Sequence, residues 1–230
     1  MTSVTVSAIL LDIEGTTTPI AFVHDVLFSY ARDHVRDYVV QHPHDVTQLR
    51  EEHARESEDA PPLTDDLDSI VTYVNWLIDR DRKSTGLKSL QGKIWRDGYK
   101  QGTLKAQVFD DVRPAFERWH KAGLKISIFS SGSVLAQQLL FAHTEAGDLT
   151  HYIGDYFDTT VGAKGDAESY RRIANKLNAP AEAILFISDV VAELEAARNA
   201  GMQTRLSIRP GNQPQNDPDR FPIIHSLDEI

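Results

Sequence analysis

Two carboxylates one residue apart, Asp12 and Glu14, close the apolar run Val4 to Leu11 and are followed by Gly15 and Thr16. Such a run reads as a buried strand of a parallel sheet. Ligands of α/β folds bind beyond the carboxyl ends of these strands. A carboxylate there can be a covalent nucleophile of the aspartyl-phosphate type. A second can serve as its acid and base partner. A surface turn capping the next segment is the plainer use of the same residues.

Three more chemically loaded points follow other predicted strands. Ser130-Ser131-Gly132-Ser133 comes after Leu124 to Phe129, Lys164 after Phe157 to Val161, and Asp189 after Ile184 to Ile187. Each has an ordinary explanation alone. Ser130 can cap the next helix. Lys164, flanked by Gly162 and Gly165, can be a solvated lysine. Asp189 can cap the helix beginning at Val191, with Glu193 merely in its first turn. In this order at one sheet edge, the four points read as one site. Asp12, Glu14 and Asp189 are hard oxygen donors suited to magnesium. Ser130, the backbone amides beside it and Lys164 suit a phosphate. Asp12 would attack phosphorus, and Glu14 would protonate the leaving alcohol and then activate water.

The elements that must position these residues are legible in the apolar spacing. Val23, Val26, Leu27, Tyr30, Ala31, Val35, Tyr38 and Val39 recur at helical intervals. So do Ile70, Val71, Val74, Leu77 and Ile78, after the cap candidate Thr64 and the acidic pair Asp65-Asp66. A further helix is expected over Leu87 to Lys100. Residues 20–107 therefore read as a helical insertion. From Asp110 onward the pattern alternates. Helices are expected at Asp111 to Ala122, Val134 to His143, Asp166 to Leu177 and Val191 to Ala200. Strands beyond those already named are expected at Gln203 to Ile208 and Pro222 to His225. Alternation of this kind implies an α/β fold, a doubly wound parallel sheet with helices on both faces. Residues 1–19 and 108–230 would form that core, with the first strand central and 20–107 as a helical cap.

Composition narrows the function. The 230 residues are 41% hydrophobic and carry a formal charge of -10. That charge argues against non-specific nucleic-acid binding and against an anionic membrane surface. There is no cysteine, so disulfides and thiolate metal sites are excluded, as suits a cytoplasmic protein. The N-terminus lacks a signal-peptide pattern, and no stretch is apolar enough to span a bilayer. The acidic stretch Glu51 to Asp68 and the tail Arg209 to Pro222 read as solvated loops or helix surfaces. His42-Pro43-His44 reads as a solvated turn, and Trp76, Trp95 and Trp119 as packing residues.

The order Asp-x-acid-Gly-Thr, Ser, Lys, Asp resembles the haloacid dehalogenase-like hydrolase superfamily. Leu11 to Ile20, Leu90-Gln91-Gly92-Lys93-Ile94-Trp95, Gly98-Tyr99, Phe129 to Val134 and Gly162-Ala163-Lys164 resemble its enolase-phosphatase, or acireductone synthase, family. The likeness covers nearly the whole chain. It implies a haloacid dehalogenase-like Rossmannoid core and a cap. It implies conversion of 2,3-diketo-5-methylthiopentyl-1-phosphate, through its enol, to 1,2-dihydroxy-3-keto-5-methylthiopentene and phosphate in methionine salvage. It implies one Mg2+ at Asp12, Glu14 and Asp189, substrate at Ser130, Ser131 and Lys164, and a monomer. Two positions depart from the wider superfamily. The second carboxylate is Glu14 rather than Asp, as expected within the enolase-phosphatases. Ser188 stands where glycine often precedes the last acid. Glu14 can meet the metal through its side chain or its carbonyl. The enolisation base stays open between Glu14 and a cap residue. His24 is the most plausible histidine for that part, although a helix-face histidine is its ordinary reading.

Overall fold

The structure is a computed structural model that describes residues 5–80, 82 and 84–230. Val4, where the first strand was expected to begin, lies outside the described residues. The chain divides into two compact units: His24–Leu104, and the chain up to Val23 together with Lys105–Ile230.

The unit His24–Leu104 is helical. A π-helical turn, Phe22–Phe28, spans its first boundary and leads into α1 (Ser29–Gln41), followed by α2 (Thr47–His53), α3 (Leu67–Asp79) and α4 (Thr85–Gln101). The expected apolar stripes meet in one core of Val35, Val39, Leu49, Ile70, Tyr73, Val74, Leu77, Leu90 and Ile94. The helical reading fails over residues 54–66. Pro61 and Pro62 remove donors that a helix would need. The Ser69 hydroxyl accepts from Thr64 N–H at 2.8 Å and donates to Pro62 O at 2.7 Å, holding the loop in place. The cap of α3 is consequently Asp66 rather than Thr64, with its carboxylate accepting from Ser69 N–H at 3.1 Å. The three tryptophans pack: Trp95 and Trp119 are buried, and Trp76 lies under the Arg80 guanidinium. His42 leans on the Tyr38 ring at 4.5 Å. No helix among the described residues is long and apolar enough to cross a membrane.

The other unit is a six-stranded parallel sheet. Its strands are β1 (Ala8–Leu11), β2 (Lys125–Phe129), β3 (Ile153–Phe157), β4 (Ile184–Ser188), β5 (Gln203–Ser207) and β6 (Ile223–Ile224). Their order is β3-β2-β1-β4-β5-β6, so β1 lies between β2 and β4. Every residue of β1 is fully buried, which is why it reads as a continuous apolar run. The helices are α5 (Val112–Lys121), α6 (Val134–Ala142), α7 (Ala167–Leu177) and α8 (Val191–Asn199). The doubly wound α/β core expected from the alternation is present.

One strand is displaced from its expected place. β3 ends at Phe157 instead of beginning there. Asp158 accepts from Thr160 N–H at 3.0 Å and from the Thr160 hydroxyl at 2.5 Å. This Asx turn stops the strand where apolar residues flank Asp158-Thr159-Thr160. Gly154 and Asp155 hid the true strand, because an edge strand with exposed residues needs only its backbone pairing to β2.

Candidate active site

Parallel register places the ends of β1, β2 and β4 side by side. Leu11 pairs with Ile128 and with Ile187, and the ladder runs one residue further, Asp12 N–H donating to Ile187 O at 3.0 Å. Asp12 is therefore the first residue beyond the central strand, and only 4% exposed. After it the chain folds back on itself. The N–H groups of Thr17 and Thr18 donate to Ile13 O at 2.9 Å, with that of Thr16 at 3.2 Å, and Gly15 N–H donates to Thr18 O at 2.8 Å. Glu14 is half-buried in a backbone bridge to Thr18. Gly15 sits at φ +71°, where a Cβ would stand 2.4 Å from Asp189 Oδ2. Only glycine lets this turn and the Asp189 carboxylate come this close.

Lys164 is the centre of the cluster. Its side chain is 8% exposed, and its ammonium lies 2.5 Å from Asp12 Oδ1 and 2.7 Å from Glu193 Oε2. Burial works to lower its pKa, but Asp12 and Glu193 outweigh burial and raise it, so the lysine stays charged. Its loop is tied down from α7. The Ser169 hydroxyl donates to Ala163 O at 2.7 Å and the Tyr170 hydroxyl to Lys164 O at 2.8 Å. Gly162, at φ +140°, leaves room for Ser169, whose Oγ would be 2.2 Å from a Cβ there. Lys164 is thus not a solvated lysine, although it lies seven residues past the true end of β3.

Asp189 is 6% exposed and caps nothing; the cap position of α8 is Val190, without a side-chain bond. Burial first, then Asp12 and Glu193, push its carboxyl up to about 7 against the pull of Lys164, and Glu14 adds to the rise. The fields of Asp12, Glu14, Lys164 and Glu193 all reach this one group. Glu193 is likewise pushed up to about 7, by burial and then by Asp12, against Lys164 and Ser188. Ser188 donates its hydroxyl to Glu193 Oε2 at 2.9 Å and accepts Val190 N–H at 3.1 Å, so serine in place of glycine has a use here.

Ser130 and Ser131 stand on the adjacent strand end, after β2. Ser130 N–H donates to Phe157 O at 3.1 Å, and its hydroxyl accepts Gly132 N–H at 3.2 Å. The cap of α6 is Ser133, which accepts Ala136 N–H at 3.3 Å, so the Ser130 hydroxyl is not spent on capping. His24 is exposed on the π-helical turn, edge-on to Phe28 at 5.3 Å.

The donor set suits a divalent cation. Asp12 and Asp189 are buried and Glu193 is partly buried, three carboxylates against one ammonium, and burial and mutual repulsion hold Asp189 and Glu193 back from ionising. A hard cation relieves such an excess. Among the described residues no three His, Asp or Glu side chains are gathered closely enough to hold a metal by themselves. Of the expected trio, Asp12 and Asp189 are buried at this strand end, and Glu14 is half-buried beside them and contributes to the rise of the Asp189 pKa. Glu193 was missed by the sequence reading. Its signal was an acid in the first turn of the helix that follows Asp189, close in sequence to that strand end.

Comparison with known proteins agrees with this geometry. The haloacid dehalogenase-like hydrolase family matches residues 6–201. Enolase-phosphatase E1 of Synechococcus elongatus is 53% identical, over 99% of this chain and 98% of its own. Enolase-phosphatase E1 of Sorangium cellulosum is 45% identical over 100% and 99%. The crystal structure of the UTR4 protein of Saccharomyces cerevisiae superposes with a TM-score of 0.83 at 33% identity, covering 98% of this chain and 100% of that one. The chain belongs to the haloacid dehalogenase-like hydrolases and, among them, to the enolase-phosphatases.

Proposed function

We propose that this enolase-phosphatase converts 2,3-diketo-5-methylthiopentyl-1-phosphate, through its enol, to 1,2-dihydroxy-3-keto-5-methylthiopentene and phosphate, a step of methionine salvage. The observation that carries the reading is the buried Asp12–Lys164–Glu193 cluster at the carboxyl end of the central strand, in a chain 53% identical to a protein named enolase-phosphatase E1.

Asp12 attacks phosphorus and holds the phosphoryl group as an aspartyl-phosphate. Lys164, already beside Asp12, balances phosphate charge in a site that excludes water. Ser130 and Ser131 bind the remaining phosphate oxygens from the next strand end. Glu14 protonates the leaving alcohol oxygen, then takes the proton of the water that cleaves the aspartyl-phosphate. One Mg2+ would be held by Asp12, Asp189 and Glu14, the last through its side chain or its carbonyl. When bound, it supplies positive charge that offsets repulsion between carboxylate and phosphate. Glu14 is also the base we assign to enolisation, with a residue of the unit His24–Leu104 as the alternative. The unit His24–Leu104 serves as the cap. The working form is a cytoplasmic monomer, a reading that rests on the family resemblance and the cysteine-free sequence.

The test is to give the purified protein the diketo phosphate with magnesium, following enol and product absorbance beside phosphate release. An enol signal, then phosphate and the acireductone product, is expected. Hydrolysis of generic phosphate esters without turnover of this substrate would overturn the pathway assignment.

A further inference from the structure

The tail from Arg209 to Pro222 reads in sequence as solvated loop, yet part of it reaches the nucleophile turn. The Asn212 amide nitrogen donates to Gly15 O at 2.9 Å and to Ser207 O at 3.2 Å. Both of its hydrogens are used, so an aspartate or an apolar side chain could not replace it. Asn212 Oδ1 is buried and lies 3.0 Å from where a Cβ on Gly15 would stand, the point that is also 2.4 Å from Asp189 Oδ2. The Cβ side of Gly15 is therefore closed by both the Asp189 carboxylate and the Asn212 amide.

The same loop touches α8. Gln215 Oε1 accepts the N–H of Val191 at 3.2 Å, two residues after Asp189 and two before Glu193. The start of the loop is anchored. Arg209 is 6% exposed, bonds to Asp111 Oδ2 at 2.7 Å and to His225 O at 2.8 Å, and lies 4.8 Å from the Phe109 ring centroid. A rigid base thus carries two amide side chains, one to each of the segments that hold the acids.

We propose that the loop 209–215 is a positioning device for the acidic site, in which Asn212 fixes the Gly15 peptide against Asp189 and Gln215 fixes the first turn of α8. The physical need is clear. Asp12, Asp189 and Glu193 repel one another in a nearly closed space. Apart from Asn212, the turn at Gly15 is held by its own short-range bonds, by Phe109 N–H donating to Thr17 O at 3.0 Å and by a long 3.5 Å bond from the Ser207 hydroxyl to Gly15 O. The amides resist the opening that this repulsion favours. The inference rests on Asp12, Glu14 and Asp189 being the reacting acids, as proposed above.

Asn212→Ala tests it. Groups that orient a ligand rather than touch substrate typically change activity or metal affinity by about 10–100-fold. The kcat on the diketo phosphate should fall at least about tenfold, with KM changed by less than about threefold. The Mg2+ concentration giving half the thermal-shift response of the substrate-free protein should rise several-fold. Wild-type turnover with an Asn212→Ala kcat within about twofold of it would overturn the positioning role and leave the function intact. No turnover by the wild type would instead strike the functional reading. Should Asn212→Ala fail to fold, Gln215→Ala carries the test, because that side chain makes a single bond to the start of α8 where Asn212 makes two to the Gly15 and Ser207 carbonyls. Its kcat should drop about threefold or more at unchanged melting temperature, and an unchanged kcat would overturn the proposal.

Discussion

Lys164 stands between two carboxylates and is the residue on which the charge balance of the site depends. Removing one partner of a buried ion pair leaves an uncompensated charge, at a cost of about 3–5 kcal/mol. Lys164→Ala should therefore lower stability by about 3 kcal/mol in magnesium-free buffer and weaken phosphate binding. Urea unfolding and inhibition by inorganic phosphate measure the two effects, and unchanged kinetics would remove Lys164 from the phosphate site. Asp12→Asn is the opposite case. It keeps the size of the side chain and a carbonyl oxygen for Lys164 but loses the carboxylate proposed as nucleophile. Phosphate release should fall to background while circular dichroism stays that of the wild type. Retained turnover would sink the covalent route.

At the scale of elements, the site is held by segments that cap and tie one another. α7 begins at Asp166, whose carboxylate accepts Glu168 N–H at 2.9 Å, and its first turns supply Ser169 and Tyr170 to the Lys164 loop. Loss of such a cap costs about 1 kcal/mol. Asp166→Ala should accordingly shift the urea midpoint down by an amount equal to about 1 kcal/mol with the slope unchanged. A shift within error would show that water replaces the cap. α8 illustrates the other arrangement. No side chain of its own caps it, and Gln215 from the tail takes the first N–H instead.

At the scale of the whole molecule, the last residues are clasped to the start of α5 by Asp111. Its Oδ2 accepts from Arg209 Nη1 at 2.7 Å, the Ser226 hydroxyl at 2.8 Å and Leu227 N–H at 2.6 Å. Burial works to raise the Asp111 pKa, but Arg209, Leu227 and Ser226 outweigh it and hold the carboxyl below its usual range. Folding therefore favours the ionised form. The stabilisation is present above the unfolded-state pKa, about 3.9, and is lost as pH falls through the lower native value. Asp111→Asn should cost about 2 kcal/mol at neutral pH, with the gap to wild type closing below about pH 4. Urea midpoints between pH 7 and pH 3 check this. A gap independent of pH would mean that shape, not charge, holds the clasp.

The sequence by itself determined the parallel core, the place of β1 within it and the residues Asp12, Lys164 and Asp189 at one sheet edge. Those features are local: buried parallel strands are apolar throughout, and their carboxyl ends are where polar residues can collect. It misplaced β3, because an edge strand is defined by pairing to β2 and not by its own side chains. Whether Lys164 was solvated or paired, what Glu193 does and why Ser188 is tolerated were decided only when β4, α8 and the Lys164 loop met in space. Asn212 was out of reach for the same reason. Its partner Gly15 is 197 residues away, and no period or spacing in a chain records a hydrogen bond between such distant residues.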